Sequence, residues 1–263
     1  MMTRMKIEIK DTSGKTLFAH EEDGNTIRKT LQIAYASKAS LEKADLAGAH
    51  IIGVDLTNAN LTGANFAGAY LLKANLTGAN LTGANLSDAG LTRANFSGAD
   101  LSGADLRHAH CFRAIFDDAR LVGANLEEIL FDLTNVVGAN LTNANLVSAR
   151  LRNTFFADAI LVDANLSHAD IMETRFIGAN LAGANLTASA CRGAYLKNAN
   201  LERANFSGAM VYHVDFSHAI LGSANLSGAK ITRGDFTGTH LAGVDFSEAA
   251  LHDVDLSKAI HRI

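Results

Sequence analysis

The 263-residue chain has no proline and no tryptophan, only two cysteines, and no apolar run of membrane-spanning length. Proline lacks an N–H, so its complete absence points to an architecture in which nearly every backbone amide is committed to a ladder or a tight corner. Cys111 and Cys191 stand 80 residues apart without a CxxC spacing. Neither a disulfide framework nor a zinc motif follows from them. A spanning helix would need about 18 consecutive apolar residues, and none is present. The opening Met1 to Glu8 also lacks the apolar core of a signal peptide. The expectation is a soluble, cytoplasmic protein with no membrane partner. The formal charge of −4 carries no basic excess, so direct nucleic-acid binding is not expected. At 48% hydrophobic residues the chain is too apolar to stay disordered.

What is present is a repeat. From Ala39 to Lys258 the sequence runs in units of five without an insertion or deletion. Centres fall at Leu41, Leu46, Ile51 and onward to Leu256, giving 44 units whose centres are 27 Leu, 10 Phe, 3 Ile, 2 Val and 2 Cys. Two residues before the centre stands Ala in 33 units, and two after it stands Gly in 17. Residues two apart in an extended segment share a face, so the small residue and the large one both point inward. The next inward residue comes three positions on rather than two, so the chain must turn a corner within every unit. Glycine after the centre suits such corners, as do Asn and Asp before it, which bond locally to backbone. A period of five keeps no stripe on a 3.6-residue helix, which excludes a continuous amphipathic helix.

Sorting the units into four columns reveals a longer period. The residue before the centre is Asn or Asp in 6, 11, 1 and 7 of the eleven units of columns one to four. The second column is complete from Asp45 to Asp245, whereas the third contains only Asp170. Four units therefore make one coil of 20 residues, and about eleven coils stacked at strand spacing would form a rod roughly 50 Å long. Ala-Asn-Leu-Thr-Gly at 59 to 63, 74 to 78 and 79 to 83 resembles the pentapeptide-repeat family. The resemblance implies an all-β fold, a right-handed quadrilateral parallel β-helix filled by Leu/Phe and Ala ladders. It specifies a fold and not a function.

Residues 1 to 38 lie outside the repeat. Lys6 to Lys10 and Thr16 to Ala19 alternate like two strands, with a hairpin loop at Asp11 to Lys15. A cap at Asn25 or Thr26 then precedes a short amphipathic helix carrying Ile27, Leu31, Ala34 and Tyr35. The expected organisation is a hairpin and capping helix over 1–38, the solenoid over 39–258, and a short tail at 259–263. Only Ser257 to Ile263 follow the last centre, so the final coil should be open, and a homodimer through it, using Ile260 and Ile263, is an expectation.

Within the coils, Thr134, Thr154 and Thr174 recur in column four and should form an inward hydrogen-bonded ladder. The run Arg107-His108-Ala109-His110-Cys111 superficially suggests a metal site. Its cysteine points inward and its histidines outward, so no metal is expected. No nucleophile–base pair, phosphate loop or HExxH is present, so neither an enzyme nor a cofactor is expected.

Charge is sorted by column: the second (net −6) and the fourth are acidic, and the third is net +4. Face three carries Lys73, Arg93, Arg113, Arg150, Arg152, Arg192, Lys230 and Arg233, interleaved with Tyr70, Phe112, Met172, Met210 and Tyr212. Arg, Tyr and Met are enriched where proteins bind one another. The expected function is a non-catalytic protein-interaction scaffold, bacterial by family habit, presenting this basic-aromatic face to a protein partner. The alternative comes from a branch of the family whose members imitate duplex DNA and bind DNA gyrase or topoisomerase IV. The acidic faces fit that reading, whereas the basic face, the uninterrupted coils and the lack of a dimerising C-terminal helix depart from it.

Overall fold

The computed structural model describes residues 4–260. Its central feature is a stack of coils joined by parallel bridges between residues 20 apart, as Asp45 to Asn65 to Asn85. Each bridge rests on paired backbone bonds: Asn65 N–H donates to Ala44 O at 2.9 Å, and Leu46 N–H to Asn65 O at 2.7 Å. Every centre from Leu41 to Leu241 is buried, nearly all without exposed surface.

In nearly every unit the corner is a β-turn closed by a backbone hydrogen bond, the exceptions being the short-strand units centred on Cys191, Val211, Ile231 and Leu251. The amide three residues after a centre donates to that centre's carbonyl, as Ala64 N–H does to Leu61 O at 2.9 Å. The residue two after the centre is left-handed, the type II pattern: φ is +64° at Gly63, but also +57° at Lys73 and +57° at Leu133. The corner is thus the same with or without glycine. A side chain there costs about 1–2 kcal/mol, and the position is held because its own amide is engaged by the next coil. Lys73 N–H, for example, donates to Thr92 O at 3.0 Å. Asn before the centre closes the other side of the corner. Asn80 Oδ1 accepts from the Thr82 amide at 3.0 Å and from its hydroxyl at 2.7 Å.

The columns differ for reasons visible in the stacking. In column two, amides bond coil to coil: Asn65 to Asp45 at 2.9 Å, Asn145 to Asn125 and Asn185 to Asn165 at 3.1 Å. In column four the Phe centres stack, with ring centroids 4.7 Å apart for Phe96–Phe116, 5.0 Å for Phe156–Phe176 and 4.9 Å for Phe216–Phe236. Thr134, Thr154 and Thr174 are fully buried, and each hydroxyl donates at 2.7 Å to a carbonyl one coil earlier, those of Cys111, Phe131 and Leu151. The third column alone supplies continuous three-residue strands: β3 (Ala190–Arg192), β4 (Met210–Tyr212), β5 (Lys230–Thr232) and β6 (Ala250–His252) in one parallel sheet, numbered after the N-terminal strands β1 and β2.

At the N-terminus, β1 (Arg4–Lys10) and β2 (Thr16–Asp23) form an antiparallel hairpin. Strand β2 extends past the Thr16 to Ala19 alternation because the ladder continues through Lys6–Glu21 to Arg4–Asp23. Backbone pairing continues there without inward apolar residues. Helix α1 (Ile27–Ala36) starts at Thr26, whose hydroxyl accepts from Lys29 N–H at 3.2 Å. Asn25, nearly buried, ties helix to hairpin by donating to His20 O at 2.8 Å and accepting from the Thr30 hydroxyl at 3.1 Å. Lys10 O accepts from Asp45 N–H at 2.7 Å, in the position where a preceding coil would bond. Gln32 bonds both the carbonyl and the amide of Asp55, and Tyr35 donates to Thr57 O. At the other end Leu251 is 43% exposed, Phe246 and Leu256 are half-buried, and Ile263 lies outside the described residues.

Phe156 is fully buried and stacked on Phe176. Phe156→Ala should therefore cost about 3–5 kcal/mol in denaturant melts, whereas Thr82→Ala, at a half-buried surface position, should cost far less, about 1 kcal/mol or below. A loss below about 1 kcal/mol for Phe156→Ala would contradict the stacked core.

Candidate partner-binding face

The 20-residue register lines up the third-column side chains in rows along one side of the rod. Before the centres run Tyr70, Gly90, His110, Leu130, Arg150, Asp170, Ala190, Met210 and Lys230 on successive coils. Just after the centres stand Phe112, Arg152, Met172, Arg192 and Tyr212; at the left-handed corners stand Lys73, Arg93, Arg113 and Arg233. All thirteen of the basic, aromatic and Met residues singled out on this face point to solvent, twelve fully exposed and Met172 half-buried.

Their electrostatics divide them into two groups. Arg150 meets Asp132 at 2.5 Å, Arg152 meets Asp170 at 2.5 Å, and Arg233 meets Asp253 at 3.2 Å. Lys73, Arg93, Arg113, Arg192 and Lys230 have no carboxylate partner among the described residues. Two of these lie against rings: Arg113 is 5.2 Å from the Phe112 centroid and Arg192 is 5.7 Å from that of Tyr212. Further along, Tyr70 stacks on His50 at 4.3 Å. A groove of about 350 Å³ opens between Arg152, Met172, Arg192, Met210 and Tyr212, with Ala190 and Cys191 at its base.

A sequence profile for the family described as pentapeptide repeats (8 copies) matches the chain in successive segments from residues 39–72 to 224–260. The chain is a pentapeptide-repeat protein. Among solved structures, full-length QnrB1, a plasmid-mediated fluoroquinolone resistance protein, is 20% identical over 68% of this chain and 92% of its own, with a TM-score of 0.53. HetL, a pentapeptide repeat protein involved in heterocyst differentiation regulation in the cyanobacterium Nostoc sp. strain PCC 7120, is 31% identical over 88% of this chain and 95% of its own, with a TM-score of 0.39. A pentapeptide repeat protein of the Arabidopsis thaliana thylakoid lumen is 27% identical over 36% of this chain and 67% of its own, with a TM-score of 0.36. No curated protein matches at the sequence level. The fold is the right-handed β-helical solenoid of the family.

In this pentapeptide-repeat protein the acidic faces are less uniform than their net charge suggests. On face two, Arg107 holds Asp105 at 2.7 Å and, chiefly through that hydrogen bond, lowers its pKa below the usual carboxylate range. His108 lies 3.3 Å from Asp88 and 3.8 Å from Glu128. On face four, sequence reasoning missed a three-coil stack: Arg175 sits between Phe155 and Tyr195, 4.9 and 5.8 Å from their centroids. Their spacing of 20 residues in the position before the centre was the available signal. Cys111 is fully buried, and burial pushes its thiol well above its ordinary pKa, while His108 and His110 are exposed. Among the described residues no group of three His, Cys, Asp or Glu is placed to hold a metal ion.

Arg175 interacts with two rings, each such contact contributing roughly 0.5–1 kcal/mol at an exposed site. Arg175→Ala should therefore lower stability by about 1–2 kcal/mol, while Arg93→Ala should stay within about 0.5 kcal/mol. Equal melting shifts for the two variants would show that the stack contributes nothing.

Proposed function

We propose that this pentapeptide-repeat protein is a non-catalytic interaction scaffold whose working surface is face three. The observation that carries the reading is the set of five cations on one face without a carboxylate partner among the described residues, Lys73, Arg93, Arg113, Arg192 and Lys230, in a chain of negative net charge. Exposed cations set a local potential that steers an acidic partner, and exposed Tyr70, Phe112, Met210 and Tyr212 supply apolar contact beside them. The rod is read as eleven coils over 39–258, with 1–38 closing its first coil through Lys10, Gln32 and Tyr35. Its last coil, where Leu251 is exposed, is the surface on which a second copy would dock. A cytoplasmic setting suits two buried, free thiols.

The second reading, a DNA mimic acting on gyrase or topoisomerase IV, draws on the acidic columns, with Asp215, Asp235 and Asp255 in one row. Against it, Arg107 and His108 interrupt face two, and Arg175 and Lys197 interrupt face four.

Reversing Lys73, Arg93 and Lys230, which touch neither a carboxylate nor a ring among the described residues, to Glu should abolish capture of the partner from host lysate without shifting the melting temperature, since exposed charges contribute little to stability. Neutralising Asp88, Glu127 and Glu128 should leave capture intact. Loss of capture only in the second set, together with inhibition of supercoiling by purified gyrase, would overturn the scaffold reading in favour of the mimic.

A further inference from the structure

The groove on face three has a defined shape. In the row before the centres, Asp170, Ala190 and Met210 follow one another on successive coils. The short Ala190 side chain between two longer ones leaves a notch one coil wide. In the row after the centres, Met172, Arg192 and Tyr212 form the adjoining wall. The volume of about 350 Å³ falls at the lower end of the roughly 300–1,000 Å³ usual for binding pockets, enough for one large side chain with its neighbours.

The chemistry of the wall narrows the guest. Met172, Met210 and the Tyr212 ring offer soft apolar contact, and thioethers pack well against aromatic rings. Asp170 is satisfied by Arg152, so the carboxylate lining the groove attracts no further cation. Among the described residues Arg192 has no carboxylate partner, and the Tyr212 ring lies beside it, which leaves its guanidinium fork open to an anion. Beneath the floor, Cys191 is fully buried beside the Ser189 hydroxyl at 3.1 Å, and burial raises its pKa to about 12. Its thiol stays protonated, so the groove holds a guest without reacting with it.

Building on the scaffold reading, we infer that this groove is the specificity pocket of face three and takes an acidic peptide segment of a protein partner: one aromatic side chain enters the notch over Ala190, and an adjacent Asp or Glu carboxylate bonds Arg192. The corner cations Lys73, Arg93 and Arg113 lie outside the groove and serve attraction rather than selection.

The test uses the full chain and fluorescein-labelled peptides followed by anisotropy: Gly-Glu-Phe-Glu-Gly, its Phe→Gly counterpart, its Glu→Lys counterpart, and free phenylacetate as a competitor. The first peptide should bind saturably and at least about tenfold more tightly than the other two, as a charge-assisted bond plus one buried ring requires. Ala190→Leu, which fills the notch, and Arg192→Gln should each weaken it at least about tenfold with the circular-dichroism melt unchanged. Absence of saturable binding, or indifference to Ala190→Leu, would overturn the pocket. So would complete displacement by phenylacetate at equal concentration, which would mark a small-molecule site. If reversal of Lys73, Arg93 and Arg113 abolishes partner capture while Ala190→Leu does not, the face remains the working surface and the pocket falls.

Discussion

The structure depends on one constraint, the bonding of each backbone segment to those 20 residues before and after it. Asn65 N–H reaches back to Ala44 O, and Leu46 N–H reaches forward to Asn65 O. An insertion of a single residue would move every later side chain one position within its five-residue unit and turn inward residues outward. The unbroken five-residue register from Ala39 to Lys258 and the absence of proline are consequences of that constraint. So is the tolerance of Lys73 and Leu133 at positive φ, since bonds to neighbouring coils fix the corner before the side chain is considered.

The same constraint creates a rule for surface pairs. Residues 20 apart stack directly, which produces the Asn ladder of column two and the Phe155–Arg175–Tyr195 stack of column four. Residues 18 apart meet diagonally, from the position after one centre to the position before the next coil's centre. Arg150 reaches Asp132 in this way, Arg152 reaches Asp170, and Arg120 bonds the Ser102 hydroxyl at 2.9 Å. These diagonals are to the solenoid what the fourth-residue pairs are to a helix. They neutralise part of face three and leave Lys73, Arg93, Arg113, Arg192 and Lys230 without a carboxylate partner among the described residues.

A lattice of this kind suits the scaffold function proposed above. Side chains at fixed spacing present a pattern, and pre-organised patterns bind with little ordering cost. The buried polar groups are already satisfied, as Thr134, Thr154 and Thr174 show, and the two thiols are held protonated by burial. Reactive chemistry has no starting point in either set. What varies along the rod is therefore surface shape and charge, and Ala190 between Asp170 and Met210 is one place where the shape departs from a flat face.

The sequence by itself determined the register, the inward ladder, the corner positions and the 20-residue coil, because each is a period, and a period is a property of order along the chain. It also placed the cations of face three in one column, and it narrowed the helix cap to Asn25 or Thr26, of which the structure has Thr26. Only the tertiary structure decided which cations are free, because that depends on distances across coils: Arg152 and Arg192 hold the same position in the repeat, yet one lies against Asp170 and the other against Tyr212. It likewise decided that Lys10 O accepts from Asp45 N–H and that Ala190 floors a groove. Both follow from which side chains the stacking makes neighbours, and proximity between coils exists only once the chain has closed on itself.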